Sequence, residues 1–357
     1  MKYFEQHIRR VTPYTPGEQP KEQRIIKLNT NENPYPPAPG VRKVLQELDT
    51  DLLRRYPDPA GEPLLSAVAE GMHLKKEEVF LGVGSDDVLA MLFLTFFNGD
   101  RPILFPDITY SFYDVWAEML RIPYETKPLD EDFSIRKEDY FTENGGIVIA
   151  NPNAPTGTAL ELPVLREIIE KNQDSIVIVD EAYIDFGGES VVPWIRQYDN
   201  LIVTQTFSKS RSLAGMRIGM AFGNETLIRC LNDVKYSFNS YTMNTTAILT
   251  GVEAFSDRAY FEATRRRIIG TRAWTADKLR DLGFVFSDSV TNFLFVTHQQ
   301  INCETLYAWL REKAIYVRHF SKPDRIAPFL RITIGTPEEM QTLLDAIKEY
   351  MEKEGAV

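Results

Sequence analysis

The sequence predicts an α/β protein, in which a large domain with a mainly parallel central sheet carries helices on both faces and precedes a smaller α+β domain. Three observations predict it. From Glu78 onward, short β-branched runs alternate with helix-length stretches, the rhythm of strand-helix-strand units. Near Thr245 that rhythm stops. The 357 residues also exceed the roughly 250 at which a single hydrophobic core stops growing.

The chain begins with a segment dense in Pro and Asn, "VTPYTPGEQP" and "NTNENPYPPAPG", with no sustained period. Such a stretch reads as an extended arm over residues 1–40, lying across another domain or subunit. The large domain, residues 41–244, is carried by the apolar runs "VFLGVG", "PILF", "GIVIA", "SIVIVDEAY", "LIVTQTF" and "RIGMAFG". Runs without polar alternation belong to strands buried on both faces, which is the position of strands in a parallel sheet. Helices are predicted between them over 85–97, 110–121, 161–172 and 224–235. Residues 245–357 form the smaller domain. There "NTTAILTGVEAFSDRAYFEATRRRIIGTRAWTADKLRDL" predicts one or two long helices, followed by "NFLFVT", a helix from Asn302 to Ala314, "IYVRHF" and "LRITIG". The last helix opens on "TPEE", with Thr336 as cap, Pro337 at the first helical position and Glu339 completing a capping box.

Composition removes several classes of function. An apolar content of 43% with 25% charged residues is that of a globular protein. The longest apolar stretch, Val88 to Phe97, is about half of the roughly 20 residues that a membrane helix requires. "MKYFEQHIRR" lacks the apolar region of a signal peptide, so the expectation is a cytoplasmic protein. Cys230 and Cys303 are far apart, and His7, His73, His298 and His319 show no ligand spacing, so neither a disulfide framework nor a metal is expected. A net charge of −11 disfavours nucleic acid but leaves room for a small anion held by local arginines.

In open α/β sheets ligands bind beyond the carboxyl ends of the strands, so the residues following each apolar run are the candidates. After "VFLGVG" come Ser85, Asp86 and Asp87. Gly84 lets a ligand approach the backbone, and the free N–H groups of the following helical turn form an anion site. Taken alone this is also a plain helix cap, and "GVGSDD" lacks the third glycine of a dinucleotide fingerprint. "NPNAPTG", 151–157, is a turn-rich loop with two Asn donors. Asp180 ends the run "SIVIV", and a carboxylate there costs several kcal/mol unless a cation pairs with it. A strand ending in Asp-Glu also suits the magnesium strand of a P-loop nucleotidase, but no Gly in the chain is followed by Lys, so the phosphate loop is missing.

"TFSKSRSLAGMRIG" places Lys209 after an apolar strand, with Ser208 before it and Arg217 eight residues on. A loop lysine is ordinarily a solvated surface residue. At the ligand edge of a sheet, desolvated beside another cation, it becomes a nucleophile that forms Schiff bases. The combination points to an aldehyde cofactor bearing an anionic group.

The set "RYPD", "GVGSDD", "NPNAPTG", "DEAY", "SKSRSLAGMRIG" and "LRITIGT", in this order across nearly the whole chain, resembles the fold-type I pyridoxal-phosphate aminotransferases. The resemblance implies that Lys209 carries pyridoxal 5′-phosphate as a Schiff base and moves the substrate proton, while Asp180 pairs with the ring nitrogen and Tyr183 with the phenolic oxygen. It implies that Tyr110 stacks on the ring and that Gly84, Ser85, Asp86, Ser208 and Arg217 hold the phosphate. Tyr56 of "RYPD" would reach the phosphate from the neighbouring subunit, which makes the site that of a homodimer. Where the family reads N-P-x-N-P-T-G this chain has Ala154, and the reading gives the second amide's role to Asn153. Arg318 in "IYVRHF" and Arg331 in "LRITIGT" suit bidentate capture of phosphate or carboxylate. The resemblance implies that Arg331 binds the α-carboxylate of glutamate and that both bind the phosphate of histidinol phosphate, with Tyr14 and Asn33 of the arm approaching the substrate.

The expected activity is therefore amino-group exchange between histidinol phosphate with 2-oxoglutarate and imidazole-acetol phosphate with glutamate. The rival readings are an aromatic amino acid aminotransferase, a decarboxylase acting on threonine phosphate, and a regulatory module that only borrows the fold. The last would need an appended DNA-binding segment, for which the chain shows no basic face.

Overall fold

Alternating strands and helices from Val79 onward build one seven-stranded sheet, seen in a computed structural model that describes residues 2–21 and 24–355. The arm carries a short helix α1 (Tyr3–His7) and reaches β1 (Ile26–Lys27), and is followed by α2 (Pro39–Glu47) and α3 (Glu62–Met72). The large sheet is then assembled from β2 (Val79–Gly82), α4 (Ser85–Phe96), β3 (Ile103–Pro106), α5 (Tyr113–Leu120), β4 (Tyr124–Lys127), β5 (Gly146–Ala150), α6 (Leu162–Lys171), β6 (Val177–Asp180), β7 (Leu201–Thr206), β8 (Gly219–Gly223) and α7 (Glu225–Phe238). Its order is β2-β8-β7-β6-β5-β3-β4, parallel throughout except for β8, which runs antiparallel to both neighbours.

The expected continuous apolar runs are the strands, because each feeds two cores at once. Ile147, Ile149, Val177, Val179, Leu201 and Val203 point into a core shared with α3 and α6. Val148, Ile178 and Ile202, one residue out of phase, point into a second core under α4, α5 and α7. All nine are fully buried, and each such side chain contributes roughly 1.5–3 kcal/mol by leaving water.

Residues 245–256, grouped with the small domain in the sequence reading, form α8 (Thr245–Ser256). Its Ala247, Ile248, Ala254 and Phe255 join the first core of the large sheet, beside Leu64, Val68 and Ala69 of α3. After Asp257 comes the 24-residue α9 (Arg258–Asp281), whose Ile268, Ala276 and Leu279 enter a different core. That core is completed by β9 (Phe284–Val285), β10 (Phe293–His298), α10 (Cys303–Glu312), β11 (Ile315–Tyr316), β12 (Arg318–His319), β13 (Leu330–Thr333) and α11 (Pro337–Glu354). Four of these strands form an antiparallel sheet in the order β12-β13-β10-β9, while β11 pairs in parallel with β1 and ties the arm to this half. The capping box at Thr336 and Glu339 is formed as expected, with Pro337 in the first turn. No helix among the described residues is long and apolar enough to cross a membrane.

Candidate active site

The carboxyl ends of β5, β6 and β7, the turn before α4 and the arm meet at two contiguous cavities of about 230 and 140 Å³. Both are lined by Thr30, Tyr110, Ala154, Tyr183 and Lys209. The larger adds Ser85, Asp86, Asp180, Ser208 and Arg217, and the smaller adds Tyr14, Asn31, Arg318 and Arg331. Residues separated by up to 317 positions are thus gathered by topology alone, since every parallel strand delivers its last residue to the same edge of the sheet.

Lys209 lies three residues beyond β7, and its amine donates to the carbonyl of Thr30 at 3.2 Å while lying 5.7 Å from the Tyr183 ring centre. Asp180, the last residue of β6, is 4% exposed and accepts from Tyr113 Oη at 2.9 Å, Thr204 Oγ1 at 3.1 Å and the Ala182 N–H at 3.3 Å. Burial raises its pKa above the ordinary carboxylate value, against the pull of the Tyr113, Thr204 and Ala182 donors. No cationic side chain touches it among the described residues, so the carboxylate is presented to the cavity as the partner of an incoming positive charge. Burial together with the Asp180 carboxylate holds the Tyr113 phenol well above its usual pKa, keeping it a donor.

Around the start of α4 the backbone forms a cradle. Gly84 caps the helix at φ +85°, a left-handed conformation, and the N–H groups of the turn it opens have no intrahelical acceptor. A Cβ on Gly219 would sit 2.4 Å from the Gly84 carbonyl carbon and 2.5 Å from the Ser85 nitrogen, so a hydrogen at position 219 is what lets β8 lie against this turn. Arg217 closes the cradle, donating to Asp86 Oδ2 at 3.0 Å and to Ser208 Oγ at 3.5 Å. Asp86 also accepts from the Tyr110 hydroxyl at 2.7 Å, which fixes Tyr110 over the larger cavity. Two helix N–H groups, a serine hydroxyl and a guanidinium around one space fit a phosphate. With an amine on one side and a buried carboxylate on the other, the residues fit an aldehyde that carries a phosphate and a basic ring nitrogen.

The smaller cavity is cationic. Arg331 is half-buried, donating to the Asn29 carbonyl at 3.1 Å, and its Nε has no hydrogen-bond partner among the described residues. Burial lowers its pKa from the ordinary guanidinium value. Arg318 donates at 3.4 Å to the Thr15 carbonyl. Neither is ion-paired with a carboxylate among the described residues. Tyr14 of the arm stacks on Phe112 at 4.2 Å between ring centres and roofs this cavity.

Two assignments made from the sequence are placed elsewhere. Asn153 is corrected: its amide donates to the Ile108 carbonyl and to Thr156 Oγ1, both at 3.0 Å, and accepts from Thr109 Oγ1 at 2.9 Å. It faces a separate cavity with Phe133 and Leu160, while Ala154, one residue on, faces Lys209. With its amide committed to Ile108 and Thr156, Asn153 is not among the residues lining the Lys209 cavity. Asn33 is likewise a brace, its amide donating to the carbonyls of Lys209 and Ser210 at 3.1 Å each and accepting from the Tyr35 N–H at 3.0 Å. Tyr56, expected at the neighbouring subunit's phosphate, is 81% exposed and stacks on Tyr241 at 4.6 Å on the surface of this chain.

Sequence reasoning passed over Asn31, Thr30, Tyr113 and Thr204. Tyr113 and Thr204 carry a usable signal, since Thr204 is the register partner of Asp180 on the adjacent strand and Tyr113 follows Tyr110 by one helical turn. Thr30 and Asn31 carry none beyond the polar density of "NTNENP".

A lysine amine set against an isolated carboxylate and an anion cradle is an arrangement suited to amino-group transfer, and a family model described as aminotransferase class I and II matches residues 23–347. The chain belongs to this aminotransferase family. Among its relatives, a histidinol-phosphate aminotransferase of Lactococcus lactis subsp. cremoris is 52% identical over 348 residues, 98% of each chain. One of Chromohalobacter salexigens is 50% identical over 347 residues, 97% of this chain and 98% of the other. The fold is shared with the solved histidinol-phosphate aminotransferase of Clostridium acetobutylicum, with a TM-score of 0.84 at 23% identity over 92% of this chain and 100% of that one. The Sinorhizobium meliloti enzyme, solved in complex with pyridoxal-5′-phosphate, gives 0.83 at 21% identity over 92% and 91%.

Proposed function

We propose that this protein exchanges an amino group between histidinol phosphate with 2-oxoglutarate and imidazole-acetol phosphate with glutamate, a step of histidine biosynthesis, using pyridoxal 5′-phosphate held on Lys209. The observation that carries the reading is the pair Arg318 and Arg331, without carboxylate partners among the described residues and opening on the cavity that also holds the Lys209 amine. A half-buried guanidinium without a counter-ion is costly, and an anionic substrate removes that cost. Two of them suit a substrate bearing phosphate, and the same arginines suit the carboxylates of the glutamate pair.

When bound, the cofactor supplies an electron sink for the substrate carbon. The chain's own residues do the rest. Asp180 would keep the ring nitrogen protonated, Gly84, Ser85, Asp86, Ser208 and Arg217 would hold the phosphate, and Tyr110 would cover the ring. Lys209, whose backbone carbonyl accepts from the Asn33 amide, would supply the amine that takes the proton from the substrate carbon. Tyr14 and the arm exclude water from the smaller cavity. Tyr56, together with exposed Leu53, Phe238 and Tyr241, is the surface through which we take the protein to form a homodimer, Tyr56 reaching the phosphate of the second copy. The protein acts in the cytoplasm, on small molecules.

Steady-state kinetics of two arginine variants test this. Arg318→Ala is expected to raise KM for histidinol phosphate roughly 100-fold with a smaller change for glutamate, and Arg331→Ala to raise both by a similar factor. Unchanged KM for histidinol phosphate in both variants would remove the phosphate pocket from the account.

A further inference from the structure

Ala154 leaves the cavity without the amide that the N-P-x-N-P-T-G pattern would place there, and Asn153 does not replace it. The structure supplies a different amide on the other side of Tyr183. Asn31 Nδ2 donates to the Tyr183 hydroxyl at 2.8 Å. Thr333 Oγ1 accepts from the Asn31 N–H at 3.0 Å and donates its own proton to Asn31 Oδ1 at 3.1 Å. The amide oxygen is thus held by Thr333 and its nitrogen is directed at Tyr183. Asn31 and Thr333 are each 1% exposed and Tyr183 is 9% exposed, so water does not compete for these bonds. The Asn31 backbone sits at φ +57°, a left-handed conformation that Asn tolerates and most residues do not, and its carbonyl accepts from Asn292 Nδ2 at 2.9 Å.

We propose that Asn31 is a positioning residue that compensates for Ala154: by donating to the Tyr183 oxygen it obliges Tyr183 to donate its single proton into the cavity, to the phenolic oxygen of the cofactor. A hydroxyl that already accepts an N–H keeps its own proton for another partner. The side-chain donors run one way, from the Thr333 hydroxyl to the Asn31 amide to Tyr183. Thr333 is two residues from Arg331 on β13, so both side chains leave the same face of the strand and the substrate arginine shares its support with the cofactor. The inference rests on the reading that pyridoxal phosphate is held on Lys209.

The test is a pH titration of the visible absorbance of the protein loaded with pyridoxal phosphate. When the nitrogen joining Lys209 to the cofactor loses its proton, the phenolic oxygen is left as a bare anion that needs a donor, so weakening the donor raises the midpoint. Asn31→Gly keeps the backbone conformation and deletes the amide, and is expected to raise the midpoint by about half to one pH unit. Asn31→Asp, which takes the Tyr183 proton instead of orienting it, raises it at least as far. Thr333→Val, which frees the amide to turn, raises it less. Introducing Ala154→Asn into the Asn31→Gly protein restores an amide to the cavity and brings the midpoint back down. Midpoints of Asn31→Gly and Asn31→Asp equal to that of the unaltered protein would overturn the inference, as would a shift in Asn31→Gly that Ala154→Asn does not reverse. An unaltered protein that shows no visible band with pyridoxal phosphate would instead overturn the reading on which the inference rests, so the two failures are told apart.

Discussion

Lys209→Ala is expected to lower amino transfer by about 1,000- to 10,000-fold or more and to abolish the visible absorbance of the bound cofactor, while the fold is retained. The magnitude follows from two roles in one amine. In the proposed function it anchors the cofactor and serves as the base where the substrate carbon must lose its proton. The environment of the side chain leaves little else for it to do: among the described residues no carboxylate forms an ion pair with it, and its hydrogen bond is to the carbonyl of Thr30. The bonds that hold its loop come from Asn33 to the backbone and from Ser210 to Asp185, so truncating the side chain leaves them in place. Absorbance and near-ultraviolet circular dichroism of the loaded variant check the expectation. A visible Schiff-base band in Lys209→Ala would show that another amine holds the cofactor.

The second large effect is at Asp180. Replacing it with Ala removes the buried negative charge while leaving Tyr113 and Thr204 with unpaired hydroxyls aimed at the gap. Losing one partner of a buried charge pair costs on the order of 3–5 kcal/mol, which is about 100- to 1,000-fold or more in rate if the loss falls on the transition state. The expected loss is in kcat, because the phosphate cradle and the arginines are untouched and substrate binding survives. Asp180→Asn keeps both hydroxyls partnered and still loses the charge, so it should retain stability and lose rate. Thermal denaturation beside the kinetics separates the two effects. Equal rates for Asp180→Asn and the unaltered protein would mean that the carboxylate charge is not used.

The legible and the illegible parts of this molecule divide along physical lines. The strands of the large sheet could be read because burial on both faces leaves runs such as "GIVIA" and "SIVIVD" no polar residue until the strand ends, and the first polar residue then marks the ligand edge. Asp180 and Lys209 were found by that rule. The edge strand β4, Tyr124–Lys127, reads "YETK"; three of its residues are exposed, so it carries no apolar signal. The apolar face of α8 announces a helix but not which core receives it, and it docks on α3 of the large domain rather than on the small one. Asn153 and Ala154 differ by one position, and which of them faces Lys209 depends on the direction of a loop that residue types do not specify. Asn31 was invisible for a related reason: its partners, Tyr183 and Thr333, lie 152 and 302 residues away, and its importance exists only after the two sheets are brought together.

The central claim is that one cavity joins a cofactor-bearing lysine to a pair of arginines meant for a phosphorylated amine. A single-turnover experiment tests it most directly. The loaded protein is mixed separately with histidinol phosphate, phenylalanine and threonine phosphate, without any keto acid, and the loss of the visible band is followed. The account predicts that histidinol phosphate discharges the band fastest, releases no carbon dioxide, and leaves an enzyme whose band returns on adding 2-oxoglutarate. Faster discharge by phenylalanine, or release of carbon dioxide from threonine phosphate, would contradict it.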